Sequence, residues 1–302
     1  MKQQQSNSTP KDRPKIGLVL GGGGSRGLAH VGVLSVLQHA NIPIDLIVGT
    51  SMGGLIAVFH AIGYTTLELS QGIKRVMHDE ENQNTTWRRF MSTPADRQRQ
   101  QRYHIEKELG DRTFADLQIP TTLMTVDMIT GNEVQLNEGP LVPAILATTA
   151  VPGAFPPFPY KGMHLADGGV IDSLATHVAF AQGADKVIAV DIYTELKQED
   201  PWSNPVTDVV GVQLPKRWFT TKQTDGDDVI LTPTVVSSVW RSIRVITSHM
   251  HKIRLEQSPP DVYIRPEVEQ YGSLDFTELQ GPINAGIAAA KGHLPALKAL
   301  LE

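Results

Sequence analysis

Cysteine is absent from this chain of 302 residues. Disulfides, thiolate metal sites and cysteine nucleophiles are therefore excluded. A chain without disulfides suits a reducing compartment, so we expect a cytoplasmic protein.

Basic charge is also in short supply, since 27 Lys and Arg residues stand against 32 Asp and Glu residues. The net charge is -5 and the isoelectric point is near 6.1. Proteins that bind nucleic acid carry a basic footprint, so this composition argues against nucleic acid as a partner.

Long uninterrupted apolar runs are missing as well. Residues 1–14 contain no apolar core of a secretory signal, and we predict that they form a disordered tail. Residues 46–63 approach the length of a membrane span, but their centre reads Gly-Thr-Ser-Met-Gly-Gly, which is turn chemistry. A buried strand, a tight turn and a buried helix therefore explain this segment better than one membrane helix.

What the sequence does contain is an alternation of two apolar patterns. Short apolar runs predict strands at 15–20, 44–48, 121–127, 132–136, 186–191 and 262–265. Apolar residues at helical spacing predict helices at 28–40, 52–62, 141–149, 173–182, 239–255 and 283–301. We therefore expect an α/β fold with a mostly parallel sheet. Residues 15–302 are predicted to form one domain, with an insertion or lid near 195–233.

A glycine-rich loop follows the first predicted strand and reads Gly21-Gly22-Gly23-Gly24-Ser25-Arg26-Gly27. Such a loop can turn several N–H groups to one side, and the helix after it adds a positive dipole end. Two uses are open, in addition to a plain tight turn. Gly22, Gly24 and Gly27 fit the dinucleotide pattern G-x-G-x-x-G, and the same amides could form an oxyanion hole.

A second motif follows the second predicted strand, where Gly49-Thr50-Ser51-Met52-Gly53 fits the pattern G-x-S-x-G. The small residues at both ends permit the strained turn of a nucleophile elbow, which lifts the serine hydroxyl out of the sheet. Consecutive loops of a parallel sheet emerge at the same edge, so the glycine loop can lie beside Ser51. This placement favours acyl transfer over nucleotide binding. Asp45, the acidic residue nearest the spacing that a dinucleotide site needs, begins its strand instead of ending it.

A third motif, Asp167-Gly168-Gly169, is preceded by a proline-rich block, Ala150-Val-Pro-Gly-Ala-Phe-Pro-Pro157. The glycine loop, the G-x-S-x-G motif, the proline block and D-G-G together resemble the patatin-like phospholipase family, above all its compact bacterial members. The resemblance runs over roughly residues 15–191. After D-G-G the family usually shows Asn and then Pro, whereas this chain continues Val170-Ile-Asp-Ser-Leu-Ala175.

The resemblance implies a three-layer α/β/α sandwich of patatin type and hydrolysis of acyl esters of lipids. It assigns Ser51 as nucleophile and Asp167 as base in a dyad without histidine. It assigns Gly22, Gly23 and Gly24 to the oxyanion hole, with Arg26 supporting that loop. Motif positions that shape the turns are Gly27, Gly49, Gly53, Gly168 and Gly169. No metal or organic cofactor is expected.

Two rival functions remain open on the sequence. One is a conventional Ser-Asp-His esterase, with a downstream histidine such as His177 completing the triad. The other is a regulatory protein that binds a nucleotide through the glycine loop without hydrolysis.

Three segments bear on contact with membranes. Residues 87–103 and 216–219 combine basic and aromatic residues, and the favoured interpretation is a solvated helix and loop surface. Either segment could instead touch anionic lipid, which would make the protein peripheral to the inner face of the membrane. In the predicted helix 239–255, a stripe of apolar residues is expected to pack in the core instead; it consists of Trp240, Ile243, Ile246, Met250 and Ile253.

Overall fold

The computed structural model describes residues 13–77, 93–196, 220–225, 228–273, 276 and 278–302. The first twelve residues of the predicted tail lie outside this range, as do residues 197–219 of the predicted lid. The whole of the basic segment 216–219 and residues 87–92 of the segment 87–103 therefore lie outside the described residues.

The central sheet has eight strands in the order β10-β7-β1-β2-β3-β6-β5, with β4 paired to β3. Its strands are β1 (Ile16–Leu20), β2 (Leu46–Thr50), β3 (Thr121–Asp127), β4 (Glu133–Leu136), β5 (Phe158–Tyr160), β6 (Met163–Asp167), β7 (Lys186–Val190) and β10 (Val262–Ile264). Strands β10, β7, β1, β2 and β3 run parallel, and β4, β5 and β6 are antiparallel additions. A separate hairpin joins β8 (Thr220–Asp225) to β9 (Asp228–Pro233). We call the edge at which the five parallel strands end the carboxyl edge.

Nine α-helices lie within the described residues. They are α1 (Leu28–His39), α2 (Met52–Ala61), α3 (Thr66–Met77), α4 (Pro94–Leu109), α5 (Leu141–Thr148), α6 (Thr176–Ala181), α7 (Val235–Gln257), α8 (Gln280–Gly292) and α9 (Leu294–Ala299). Short 3-10 turns span Gly24–Gly27, Phe114–Asp116 and Gly168–Val170. Within the described part of the chain, every helix is too short or too polar to cross a bilayer.

The sheet is covered on both faces, and successive side chains of a strand point to opposite sides of it. In β1, Leu18 and Leu20 belong to the larger apolar cluster, which includes side chains of α1 and α2, whereas Val19 belongs to the cluster on the other face with side chains of α6. The expected three-layer sandwich with a mostly parallel sheet is thus confirmed.

Some predicted boundaries were wrong. The predicted helix 173–182 begins only at Thr176, because Asp172 and Ser173 continue the turn after β6. The predicted helix 283–301 is two helices, since Pro295 starts a new helix after His293. The segment before Asp167, for which no element was predicted, is a hairpin of β5 and β6.

The prediction for the apolar stripe of α7 was also wrong in part. Ile243 and Ile246 are 45% and 62% exposed, so neither packs in the core. The helix instead buries a polar side, namely Ser237, Ser248 and His251. The reason is tertiary, because His251 reaches a buried carboxylate beyond β7.

Candidate active site

Ser51 lies at the sharp turn between β2 and α2. Its backbone has φ 55° and ψ -124°, an uncommon conformation for a residue other than glycine and the strained turn that a nucleophile elbow requires. The N–H of Ser51 donates to the Thr148 hydroxyl at 3.0 Å, and that hydroxyl donates to the carbonyl oxygen of Met124 at 2.7 Å. These bonds hold the strained residue in place. The sequence analysis did not single out Thr148, a polar residue at the end of an otherwise apolar helix.

The two glycines of the G-x-S-x-G motif are required by close packing around this turn. A Cβ added to Gly53 would lie 2.1 Å from the carbonyl oxygen of Leu20, and one added to Gly49 would lie 2.5 Å from the Cα atom of Gly54. Both distances are too short for any side chain. The first turn of α2 therefore packs directly against the ends of β1 and β2.

Asp167 is brought to Ser51 by the register of the sheet. Thr50 pairs with Met124, and the next residue of β3, Thr125, pairs with Asp167. Ser51 and Asp167 thus lie at one level on the two sides of β3. The Ser51 hydroxyl lies close enough to the Asp167 carboxyl group to lower its pKa.

The carboxyl group of Asp167 is almost completely buried, with 5% of the residue exposed. Burial raises the pKa of Asp167 from 3.8 to about 6, although the hydrogen bonds from Ser51 and from the Gly169 N–H counteract the rise. The Gly169 bond measures 2.8 Å. A carboxylate with this pKa is still ionised near neutral pH, and it binds a proton more readily than an ordinary aspartate.

The turn after Asp167 is braced by its own backbone and by β3. The N–H groups of Ile171 and Asp172 both donate to the carbonyl oxygen of Gly168, and Asp172 accepts from the N–H of Leu174. A Cβ on Gly168 would lie 2.8 Å from the backbone of Met124, which explains the glycine. Asp172 thus holds the turn in a sequence that lacks the usual Asn and Pro.

The glycine loop lies directly beside Ser51. A Cβ on Gly22 would be 3.2 Å from the Cβ of Ser51. The Gly22 N–H, however, donates to the carbonyl oxygen of Ser173 at 3.0 Å, so the predicted oxyanion hole needs correction at this position. Among the described residues, none accepts a hydrogen bond from the N–H of Gly23 or Gly24. These two amides are the available donors of the loop.

The far side of the glycine loop is tied to residues 271–273. Arg26 donates from Nε to the carbonyl oxygen of Tyr271 at 2.8 Å, and the Ser25 N–H donates to that of Ser273 at 2.7 Å. Gly24 has φ +64°, and a Cβ there would lie 1.8 Å from the Ser273 oxygen, so only glycine fits.

Gly27 and His30 complete the support of the loop. A Cβ on Gly27 would lie 2.3 Å from the side chain of Met52, so a larger residue would push α2 away. Nε2 of His30 lies 2.8 Å from the carbonyl oxygen of Gly21. Burial lowers the pKa of His30 to about 4, so the imidazole is neutral and donates this bond.

A polar network that the sequence did not reveal reaches the same loop from α7. Nδ1 of His251 lies 3.1 Å from the Ser173 hydroxyl, and its Nε2 lies 2.9 Å from the Asp191 carboxylate. Asp191 also accepts from the Tyr263 hydroxyl. Burial alone would raise the pKa of Asp191, but these bonds outweigh it and hold that pKa below its ordinary value.

This network meets the glycine loop through Ser173, whose carbonyl oxygen accepts the hydrogen bond from the Gly22 N–H. The four residues of the network lie between β6 and α6, directly after β7, in α7 and in β10. Because these elements are far apart in the sequence, no local pattern connects them.

His177 does not occupy the place of a triad histidine. Its Nε2 lies 3.2 Å from Glu133, and its Nδ1 lies 3.4 Å from Asp172. Asp172 and Glu133 raise the pKa of His177 to about 9, so the ring is protonated near neutral pH. A protonated imidazole cannot accept the serine proton.

The nucleotide alternative also lacks support from geometry. The Asp45 carboxylate binds the Arg13 guanidinium and the N–H of Ile16, at the start of β1. It therefore lies at the opposite edge of the sheet from the glycine loop and cannot contact a ribose bound there.

No metal centre is apparent in the part of the chain that the structure describes, where no three His, Asp or Glu side chains are grouped suitably for an ion.

The sequence profile of the patatin-like phospholipase family matches residues 18–180. The chain is 28% identical over 288 residues to lysophospholipase nte1 of Aspergillus niger and 27% identical to that of Aspergillus fumigatus. Each alignment covers 94% of this chain but 18% of the relative, so the chain spans only a small part of these curated proteins.

Among solved structures, VipD from Legionella pneumophila superposes with a TM-score of 0.50 at 12% identity. This superposition covers 95% of this chain and 67% of VipD, and it bears on the fold alone. The family profile covers more than half of the chain and includes both Ser51 and Asp167. By its sequence, and by a fold that agrees with it, the chain belongs to the patatin-like phospholipase family, a family of lipid ester hydrolases.

Proposed function

We propose that the protein hydrolyses fatty acyl esters of lipids through a Ser51–Asp167 dyad, and that it needs no metal or organic cofactor. The observation that carries the proposal is the position of the strained Ser51 beside the buried carboxyl group of Asp167, at one level of the sheet. A serine hydroxyl becomes nucleophilic when an adjacent base accepts its proton.

In the first half of the reaction, Ser51 Oγ attacks the ester carbonyl carbon and its proton passes to the Asp167 carboxylate. A new O–C bond forms, and the carbonyl electron pair moves to the oxygen, which becomes an oxyanion. When the intermediate collapses, the ester C–O bond breaks. The leaving alcohol takes the proton from Asp167, and the acyl group remains on Ser51.

In the second half, a water molecule gives a proton to Asp167 as its oxygen adds to the acyl carbon. Collapse of this second intermediate breaks the bond to Ser51 Oγ, which regains the proton from Asp167. The fatty acid then leaves.

The proposed oxyanion donors are the N–H groups of Gly23 and Gly24. Gly22 supports them indirectly, since its own N–H is held by Ser173. Donors fixed in place before the reaction stabilise the transition state more than the bound ester, because the negative charge develops only during attack.

Within lipid esters, we expect single-chain lysophospholipids to be the preferred substrate class. The support for this expectation is the name lysophospholipase carried by the relatives in Aspergillus, which are longer proteins than this chain.

A fluorophosphonate probe combined with a lipid panel tests the proposal. We expect one covalent adduct, on the tryptic peptide that contains Ser51, and none in Ser51→Ala. The panel comprises lysophosphatidylcholine, phosphatidylcholine and p-nitrophenyl butyrate, with fatty acid or nitrophenol release as the readout. Hydrolysis by the parent without an adduct at Ser51 would show that another residue is the nucleophile. An adduct at Ser51 without release from any lipid would contradict the substrate class.

A further inference from the structure

Helix α7 carries an exposed apolar stripe formed by Val235, Val239, Ile243 and Ile246. These side chains are 80%, 55%, 45% and 62% exposed. Their spacing of four, four and three residues places them within about 80° of one another around the helix. A surface helix ordinarily turns its apolar side inward, whereas α7 buries Ser248 and His251.

The contacts of α7 show where the stripe lies. Arg244 donates to the carbonyl oxygen of Thr194, and His251 bonds to Asp191, both just beyond the end of β7. Since α7 leads into β10, which is parallel to β7, the residues before Arg244 extend past the carboxyl edge. Val235 is nine residues earlier, which is about 13 Å of helix. The stripe therefore projects on the side of the molecule that holds Ser51 and the glycine loop.

Two more exposed apolar side chains lie on this side. Met128 and Ile129 follow the last residue of β3 directly and are 45% and 74% exposed. Leu67, which is 67% exposed, provides a contrast. It follows α2, whose end at Ala61 is bonded to Gln118 ahead of β3, at the opposite edge of the sheet.

The charge of α7 is the second observation. The sequence from Val235 to Leu255 contains no Asp or Glu, but it contains Arg241, Arg244, Lys252 and Arg254. The whole chain is acidic, with a net charge of -5. In α7 as a whole, these four basic residues stand against one acidic residue, Glu256. A helix with an apolar stripe and an excess of basic charge fits a lipid surface with anionic head groups.

We infer that the apolar stripe docks onto an anionic lipid surface and turns the carboxyl edge, with Ser51, toward the lipid layer. The inference deepens the proposed function, because an enzyme for lipid esters must take its substrate from such a layer. Binding to the layer does not itself depend on the identity of the nucleophile.

Vesicle binding of the full chain tests the docking surface. All proteins carry Ser51→Ala, so the lipid is not consumed and the result is independent of catalysis. The probe is a vesicle of phosphatidylcholine and phosphatidylserine at a ratio of about four to one, and flotation measures the bound fraction. We expect Val239→Ser/Ile243→Ser to lower the partition coefficient about tenfold or more, because two aliphatic side chains lose their apolar contact. The matched control, Leu67→Ser, removes an exposed aliphatic side chain at the opposite edge of the sheet and is expected to bind like the parent.

Because the chain has no cysteine, an introduced cysteine can be labelled specifically, and contact with the vesicle can be measured without weakening binding. Val239→Cys and Leu67→Cys can each be labelled at a single site with an environment-sensitive fluorophore. On addition of vesicles, we expect a blue shift of the emission for the label at position 239 and none for the label at position 67.

Three outcomes would overturn the inference. They are a parent protein that does not bind the vesicles, a stripe variant that binds as the parent does, and a label at position 239 that stays in water. A stripe covered by a second copy of the chain would instead give a dimer by size-exclusion chromatography that Val239→Ser/Ile243→Ser converts to a monomer. That result too would refute the lipid assignment. The outcome of the hydrolysis assays is independent of these binding measurements, since hydrolysis reports on Ser51 and the binding experiments use Ser51→Ala.

Discussion

At the scale of single residues, Asp167 is the residue on which the proposed chemistry depends most directly. Asp167→Asn keeps the size of the side chain but removes the ability to accept a proton. We expect kcat/KM for lysophosphatidylcholine to fall by about a thousandfold or more, since the base acts in both halves of the reaction. Circular dichroism is expected to show an unchanged fold.

His177→Ala is the matched control for this substitution. Because His177 is protonated and forms ion pairs with Glu133 and Asp172, its loss is expected to leave most of the activity. A folded but inactive His177→Ala protein, or an active Asp167→Asn protein, would replace the dyad by a triad.

The pH dependence of the reaction follows from the environment of Asp167. Burial raises its pKa to about 6, and only the ionised carboxylate can accept the serine proton. We therefore expect kcat/KM to fall as the pH decreases through about 6, with a single ionisation on the acid side. Initial rates with p-nitrophenyl butyrate between about pH 4.5 and 8 measure this limb. A limb near 4, the value of an ordinary aspartate, would mean that the base is solvated in the working enzyme.

Gly23 tests the oxyanion hole. A Cβ on Gly23 would lie 2.8 Å from the Cδ1 atom of Ile192, so Gly23→Ala should displace the loop. We expect kcat to fall on the order of a hundredfold with little change in KM, as is typical for the loss of an oxyanion donor.

The double variant Gly23→Ala/Ile192→Ala separates displacement of the loop from other effects. Removing the Ile192 side chain relieves most of the close contact, and we expect kcat to recover in part. Near-normal kcat in the single variant would mean that the loop has another role.

At the scale of elements, the network of Ser173, His251 and Asp191 fastens α7 to the turn after β6. His251→Phe preserves the ring but leaves the buried Asp191 carboxylate without one of its donors. We expect the free energy of unfolding to fall by about 1 to 3 kcal/mol, the usual cost of leaving a buried polar group without a hydrogen-bond partner. We also expect kcat to decrease, because the Ser173 carbonyl oxygen positions Gly22.

Urea unfolding and steady-state kinetics measure these two effects. His249→Phe is the control, since it lies on the same helix but is exposed. If both variants lose stability equally, the effect belongs to the helix and not to the network.

At the scale of the whole molecule, two buried groups make stability depend on pH in opposite directions. Because the pKa of Asp167 is raised, the folded chain binds more protons than the unfolded chain between about pH 4 and 6. The contribution of Asp167 to the free energy of unfolding therefore decreases as the pH rises through that range. The pKa of His30 is lowered to about 4, so the unfolded chain binds more protons below about pH 6.5 and stability falls with acid. In the parent these contributions oppose each other between about pH 4 and 6.

Asp167→Asn removes one of the two opposing contributions. We expect the variant to be more stable than the parent near pH 7, by up to about 3 kcal/mol, because a shift of about two pKa units corresponds to that amount. The difference should shrink toward zero near pH 4, where the parent carboxyl group is already protonated. Urea unfolding at several pH values measures it. A difference that does not change with pH would mean that Asp167 is not desolvated in the folded state.

Local patterns in the sequence determined the elements that carry the proposed catalytic pair. Residues 16–20 and 46–50 are short apolar runs that end in glycine-rich turns, and such runs predict buried strands whatever the rest of the chain does. The order of the motifs indicated the family, and with it Ser51 and Asp167. The sharp turn at Ser51 depends mainly on the small residues beside it, which is why the sequence could predict it.

Tertiary structure alone decided which groups are available for function. Gly22 loses its N–H to Ser173, and His251 joins Ser173 and Asp191 across 78 and 60 residues of sequence. Hydrogen bonds over such separations depend on where whole elements pack, and no periodicity records them. The same packing turns the polar side of α7 inward and leaves Ile243 and Ile246 in solvent, because a buried carboxylate at Asp191 stabilises the helix in that orientation.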